Sequence, residues 1–435
     1  MKVVMVILLS AMIIKDAGHI GDPFILRGFS QVLCLIVGTF WILLNADVSF
    51  LKKYWPIFGY CLVSLISGLL SPRMDHALMQ TASLTSVLFF AIAYFESQSK
   101  KSGDPSKLYF NTTIILYSIA CIVSVLLIKL NYSLVYGKVA ASFVTNAVVR
   151  FNGVYSTPGM MGAASGLLIG FILFRKGKWW WRAPALTAAL ICLALTTSRT
   201  FWVASFVSSI IVWWIYKPQS RKLVAIITVS TCLVAGSLWF IGVSVDTKGV
   251  EKSARVSSLS TLTGRIPLWE MAIDGFSKRP IIGYGSTIGA YALRDDSGTA
   301  LYNSEGPSGQ ELGRETLHNG YIQSVLDLGA LGLFFYVAIF YVAIYRIYHR
   351  DKLKLHGSVI YGVLFVVISN FGESVVYSAS TSHSIVFWCL VVFALYRFSS
   401  SFTGGHKEGG ISITENQEPS STKGVKFKTV DCKLR

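Results

Sequence analysis

The sequence predicts an all-α fold: a polytopic membrane helical bundle of about twelve transmembrane helices, with one large loop between spans 9 and 10. The first observation behind this prediction is the composition, since 53% of the 435 residues are hydrophobic and only 14% are charged. Soluble proteins carry roughly 25% charged residues. The second is that apolar stretches of about 20 residues, the length that crosses a bilayer, recur along most of the chain.

These stretches place the candidate spans in order along the chain. The first stretch is short, and a cleavable signal peptide is the rival interpretation of Met1–Ile14. We favour a membrane segment, because no small-residue cleavage site follows before Lys15 and Asp16. The predicted spans are 2–14, 28–45, 54–70, 78–95, 108–130, 158–174, 183–197, 200–216, 222–244, 329–345, 357–371 and 382–398.

Basic residues in the short loops predict the orientation, because cytoplasmic loops are enriched in Lys and Arg. One alternating set of loops carries 16 basic residues and the other carries 6. The richer set is therefore predicted to be cytoplasmic, with both termini on that side and the long loop in the periplasm. The net charge of +17 then mostly reflects topology and gives no indication of nucleic-acid binding. The richer set comprises Lys52, Lys53, Lys100, Lys101, Lys107, Arg175, Lys176, Lys178, Arg182, Lys217, Arg221, Lys222, Arg346, Arg350, Lys352 and Lys354.

The chain divides at the ends of its span-rich regions. The predicted boundaries are 1–244 for spans 1–9, 245–328 for a periplasmic loop with amphipathic helices, 329–398 for spans 10–12, and 399–435 for a disordered cytoplasmic tail. Six of the seven cysteines lie in spans and Cys432 lies in the tail, so no disulfide framework is predicted. No cysteine spacing is typical of a metal site.

The long loop carries the only sizeable pattern outside the membrane. Ile266, Trp269, Ile273 and Phe276 recur at helical spacing and predict an amphipathic helix whose apolar face contacts lipid or the bundle. Turn residues then interrupt it over 279–285.

Three residues with useful chemistry fall on the predicted outer side. Arg199 lies in a short link between two spans, where a cation is costly unless it meets an anion or reaches water, so it is a candidate functional residue. The equally weighted alternative is that its side chain snorkels to the membrane interface. Arg265 begins the amphipathic helix, where a guanidinium can grip a phosphate, although a surface role is the alternative. His318 precedes span 10 as a candidate general base, and a helix-cap role is its alternative. Asn319, beside it, and Arg150, before span 6, are predicted to bind substrate, with a loop anchor as the alternative for Arg150.

Two cations and one base at an outer membrane surface suit a particular reaction. Displacing a pyrophosphate from C1 of a sugar needs charge stabilisation at the leaving group and a base at the attacking hydroxyl. Enzymes that use a metal for this often carry an Asp-x-Asp pattern, and Asp295-Asp296 has the wrong spacing. The arginines are therefore expected to replace a metal, and no cofactor is predicted.

Four short patterns in this order resemble the O-antigen ligase and polymerase family. They are Ser198-Arg199-Thr200, then Gly264-Arg265 with Trp269, then Arg279-Pro280 with Gly283-Tyr284-Gly285, then His318-Asn319 with Tyr321, Leu328-Gly329 and Gly332. The resemblance covers roughly residues 145–345, and it rests on the ordered set with a large loop between Arg199 and His318.

The resemblance implies a membrane glycosyltransferase of the GT-C class. Such enzymes use undecaprenyl-pyrophosphate-linked glycans on the periplasmic face of the bacterial inner membrane, without a metal. It assigns pyrophosphate binding to Arg199 and Arg265, and it assigns orientation or deprotonation of the acceptor hydroxyl to His318. A single displacement with one base would invert the anomeric centre. The family often has a small residue after the first arginine, whereas here bulky Phe201 and Trp202 follow Thr200.

The acceptor stays open at this point. A ligase passes the glycan to lipid A-core, a polymerase passes it to another lipid-linked unit of a growing O-antigen or exopolysaccharide, and some family members glycosylate proteins. The lipid bilayer and other polysaccharide assembly proteins are the further partners expected. The alternative from another class is a flippase or transporter of lipid-linked glycan, which would also have about twelve spans, but typically with repeated halves and charges at the midplane.

Overall fold

The computed structural model describes residues 1–16, 23–99, 105–130, 136–139, 148–175, 179–216, 265–289, 317–350, 357–374 and 382–397. All of them belong to one compact unit, Met1–Ser399. The helices within these ranges are α1 (Lys2–Asp16), α2 (Pro23–Asn45), α3 (Val48–Leu69), α4 (Met74–Ser99), α5 (Pro105–Leu130), α6 (Pro158–Leu173), α7 (Trp179–Leu195), α8 (Arg199–Tyr216), α9 (Arg265–Lys278), α10 (Gly320–Arg350), α11 (Gly357–Ser369) and α12 (Ser382–Arg397).

The helical bundle predicted from hydropathy is confirmed in outline. Every predicted span except 222–244 coincides with a helix, and that span, most of the loop and the predicted tail lie outside the described residues. Five helices, α2, α4, α5, α8 and α10, are long and apolar enough to cross a membrane. Four shorter apolar helices, α6, α7, α11 and α12, accompany them. The number of spans and the side on which the loop lies stay predictions.

A short β-ribbon departs from the predicted all-α fold. Strands β1 (Tyr136–Val139) and β2 (Val148–Phe151) pair antiparallel, with Gly137 opposite Arg150. The chain then turns through Gly153, at φ 60°, into α6, where the Thr157 hydroxyl accepts from Met160 N at 3.3 Å as a helix cap. The ribbon therefore leads directly into a buried helix.

Small residues bring α6 close to two neighbouring helices. An added Cβ at Gly170 would lie 1.9 Å from the Tyr361 ring, and one at Gly162 would lie 2.7 Å from Phe201. The Tyr361 hydroxyl donates to the Gly166 carbonyl at 2.8 Å, and Phe201 stacks on Phe365 at 6.0 Å. Such close approach is typical of membrane helices with small residues at their interface. It sets α8 and α11 side by side.

A polar cluster ties four helices together at one end of the bundle. Lys53 Nζ lies 2.6 Å from Glu96 Oε1, and the Tyr54 hydroxyl donates to the same oxygen at 2.8 Å. Arg346 Nη1 donates to the carbonyls of Lys53 and Leu395, at 3.0 Å each. This joins α3, α4, α10 and α12. Lys53 and Arg346 both belong to the loops predicted to be cytoplasmic, so the cluster agrees with that grouping of basic residues.

Candidate functional site at the opposite end of the bundle

The chain that leaves α11, residues 370–374, gathers the starts of three other helices. Asn370 O accepts from Gly320 N at 2.8 Å, at the start of α10. Gly372 O accepts from Arg265 Nη1 at 2.5 Å, at the start of α9. An added Cβ at Gly372 would lie 2.5 Å from Thr200 Oγ1, at the start of α8. Because α10 runs from here to Arg346, the site lies at the end opposite the Lys53 cluster.

Glu373 lies at the centre of this end and was not predicted from the sequence. Its Oε1 lies 3.0 Å from Arg265 Nη2, and its Oε2 lies 2.9 Å from His318 Nδ1. Burial alone would raise the pKa of Glu373, but the hydrogen bond and charge of His318, together with those of Arg265, lower it below its ordinary value. Glu373 is therefore a carboxylate near neutral pH.

The helix that begins with Arg265 is the amphipathic helix predicted from the loop. Trp269 Nε1 donates to the Leu317 carbonyl at 2.8 Å, and Ala272 packs with Tyr284. Ile273, in the same predicted apolar face as Trp269, is 62% exposed, so contact of that part of the face with lipid stays a prediction. The inward contacts hold Arg265 toward Glu373, with its side chain 21% exposed.

His318 stands on a constrained backbone. Its φ is 49°, in the left-handed region that non-glycine residues seldom adopt. Flanking hydrogen bonds stabilise this conformation: Leu317 N donates to Gln323 Oε1 at 3.0 Å, in addition to the bond between Gly320 N and Asn370. The side chain stays 45% exposed, so the edge of the ring away from Glu373 can reach a ligand. Strained backbone of this kind clusters at functional sites.

The Asn319 side chain forms hydrogen bonds within the protein. Its Oδ1 accepts from Tyr321 N at 3.0 Å and from Ile322 N at 3.1 Å, which caps α10. Its Nδ2 donates to the Phe371 carbonyl at 3.1 Å. Asn319 therefore fixes the chain that carries His318, and the predicted contact with substrate stays a prediction.

The two other predicted arginines are placed less completely. Arg199 begins α8 and is exposed, and within the described ranges it forms no ion pair. The next residue, Thr200, touches Gly372, so Arg199 is the sequence neighbour of a residue that borders the site. Arg150 lies in β2, and its side chain is outside the described residues. The bulk of Phe201 lies inside the bundle, where the side chain is 1% exposed.

The third sequence pattern docks the end of α9 onto α10. Gly283, at φ 64°, lies so close to Asp327 that an added Cβ would be 2.5 Å from its carbonyl. The Asp327 carboxylate accepts from Gly289 N at 2.6 Å, from Thr287 N at 2.9 Å and from Gln323 Nε2 at 2.9 Å. These contacts give Asp327 a structural role and hold α9, and with it Arg265, against the helix that follows His318.

The arrangement brings one imidazole and one guanidinium onto a single carboxylate, and Arg199 precedes Thr200, which touches Gly372. In the described part of the chain, no group of three or more His, Cys, Asp or Glu is placed to hold a metal ion. A ligand that carries phosphate and a hydroxyl group fits these side chains, since guanidinium groups bind phosphate and imidazole accepts a proton.

Residues 184–337 match the family model described as O-antigen ligase. This match supports membership of the O-antigen ligase/polymerase family. The matched segment contains Arg199, Arg265 and His318 and ends before Glu373. Together with the apolar helices, it supports a multi-pass membrane protein with O-antigen ligase or polymerase-type function in general, which is a glycosyltransferase-like activity. No curated protein matches the chain.

Proposed function

We propose that this protein is a bacterial inner-membrane glycosyltransferase that transfers glycan from an undecaprenyl-pyrophosphate donor to an acceptor hydroxyl. The acceptor is a growing surface polysaccharide or lipid A-core. The observation that carries the proposal is the pairing of Arg265 and His318 on the two oxygens of Glu373, 3.0 and 2.9 Å away, beside the start of the helix that Arg199 opens. A phosphate-binding group and a base then lie within reach of one phosphosugar.

The transfer balances as a single displacement. The acceptor oxygen bonds to C1 of the donor sugar while the C1–O bond to the pyrophosphate breaks, and the electron pair of that bond leaves with undecaprenyl pyrophosphate. The hydroxyl proton goes to His318, and the arginines stabilise the charge on the leaving phosphate. Attack from the face opposite the leaving group inverts the anomeric carbon, and none of these roles needs a metal ion.

Both arginines are proposed to bind the pyrophosphate of the donor. A guanidinium has five N–H donors, and Arg265 uses two of its nitrogens on Gly372 and Glu373. Its remaining donors and the exposed Arg199 are available to phosphate oxygens. We place the site on the periplasmic face and both termini in the cytoplasm, supported by the distribution of basic residues in the short loops.

The proposal is tested with purified protein in detergent and a synthetic undecaprenyl-pyrophosphate-linked repeat unit. EDTA is added to remove divalent metal ions, since none of the proposed roles needs a metal. We expect undecaprenyl pyrophosphate to be released in step with glycan transfer. A ladder of products without lipid A-core identifies a polymerase, whereas product only when the core is added identifies a ligase. If no glycan is transferred in detergent, but lipid-linked glycan crosses the membrane of sealed vesicles, the protein is instead a flippase.

A further inference from the structure

The Glu373 carboxylate divides its two oxygens between two different partners. Oε1 accepts from Arg265 Nη2 and Oε2 accepts from His318 Nδ1, and the Glu373 side chain is 24% exposed. Neither partner is a sequence neighbour, because Arg265 is 108 positions away and His318 is 55 positions away. The tertiary fold alone therefore brings the three groups together.

The contact with Glu373 decides which nitrogen of His318 is free. An ionised carboxylate can only accept hydrogen bonds, so the proton of a neutral imidazole must reside on Nδ1. Nε2 then carries the lone pair that a general base needs. Because the His318 side chain is 45% exposed, Nε2 can meet an acceptor hydroxyl.

The contact with Arg265 has a different consequence. Without a donor, the positive charge of Arg265 is balanced by Glu373, and Arg265 Nη1 is held by the Gly372 carbonyl. Phosphate oxygens would compete for the same guanidinium, since it forms strong paired hydrogen bonds with them. Donor binding therefore acts against the bond between Arg265 and Glu373.

We propose that Glu373 is a positioning residue that couples donor binding to the readiness of His318 to accept a proton. This coupling rests on the proposed glycosyl transfer. When the pyrophosphate draws Arg265 toward itself, the charge of Glu373 is left to His318. It then stabilises the imidazolium that forms as Nε2 takes the acceptor proton, while the acceptor oxygen bonds to C1 and the pyrophosphate leaves with the electrons of the C1–O bond. The base is thereby favoured when a donor is present.

The backbone that precedes Glu373 is held by contacts with other segments. The preceding Gly372 is in contact with Thr200 of α8 and with Arg265, and Phe371 O accepts from Asn319 Nδ2. These contacts fix the backbone that carries Glu373.

The test replaces Glu373 with Gln, which keeps the size and one acceptor oxygen but removes the charge. We expect kcat to fall by about 10²-fold, the lower end of what a general base contributes. We also expect KM for the lipid-linked donor to decrease severalfold, because phosphate no longer competes with a carboxylate for Arg265. The affinity for undecaprenyl pyrophosphate alone, measured by titration, should rise in the same variant. Glu373→Asp keeps the charge and should recover part of kcat.

Glu270→Gln is the matched control, because Glu270 is an exposed carboxylate on the same helix as Arg265, and its kinetics should equal those of the wild type. If Glu373→Gln leaves kcat unchanged, the coupling is wrong. The coupling is also wrong if the variant has a lower kcat, an unchanged or raised KM and a lower thermal midpoint, because Glu373 is then only structural. If the wild-type protein transfers no glycan at all, the proposed function fails, and the coupling fails with it.

Discussion

Replacing His318 with alanine is expected to lower kcat for glycan transfer by about 10²–10⁴-fold, the usual contribution of a general base. KM for the lipid-linked donor should change little, because the arginines that would bind phosphate remain. The effect is large because the imidazole paired with Glu373 is the proposed acceptor of the proton in the transition state. Steady-state kinetics with purified protein measure both constants.

The backbone of His318 calls for a second variant. At φ 49°, alanine is strained by about 1–2 kcal/mol, whereas asparagine tolerates this region. His318→Asn therefore separates the loss of the base from the strain, and it should be as inactive as His318→Ala. The control is His349→Ala, since His349 is exposed at the far end of α10. Near-normal kcat in His318→Asn would rule out His318 as the base.

Replacing Gly329 with alanine is expected to destabilise the protein by at least about 2 kcal/mol, through strain and a clash. Gly329 has φ 67° in the kink of α10, and an added Cβ would lie 2.3 Å from the carbonyl of Ile281. The same kink accepts the chain after α9, since Ala330 N donates to Pro280 O at 2.8 Å. A lower thermal midpoint and a smaller yield of monodisperse protein in detergent are the expected observations.

Gly28→Ala in α2 provides the comparison for this variant. Within the described part of the chain, no heavy atom lies within 4 Å of the position of its added Cβ, apart from the adjoining residues and the nearby backbone of α2. Alanine in a helix interior is favoured over glycine by roughly 0.5–1 kcal/mol, so the midpoint should stay the same or rise. Should the two variants unfold alike, the close approach of the 279–285 segment to α10 is not what stabilises this end of the protein.

Hydropathy and helical spacing predicted much of the fold. The helices that contain the predicted spans follow from continuous apolar runs, and α9 follows from the spacing of Ile266, Trp269, Ile273 and Phe276. Periodicity could not tell which of these residues face inward. Trp269 does so because its indole finds the Leu317 carbonyl, a tertiary contact, while Ile273 is left exposed. The β-ribbon was missed, because its strands are only four residues long.

The candidate site was only partly accessible from the sequence. Arg265 and His318 lie in recognisable short patterns, and the structure brings them to one carboxylate. Glu373 lies in no pattern, and its partners are far away in sequence, so no spacing rule could find it. One signal was available: Glu373 is a single charged residue in the short link 370–381, which follows an apolar helix and holds no basic residue. An isolated charge beside a membrane span is a functional candidate.

The most direct test of the account is to determine where the pyrophosphate of a bound undecaprenyl-pyrophosphate-linked glycan lies in the wild-type protein, by cryo-electron microscopy in a lipid nanodisc. We expect its phosphate oxygens within hydrogen-bond distance of Arg265 and Arg199, and C1 of the first sugar on the side of His318 Nε2. A headgroup bound instead beside Lys53 and Arg346, at the other end of the bundle, would contradict the account.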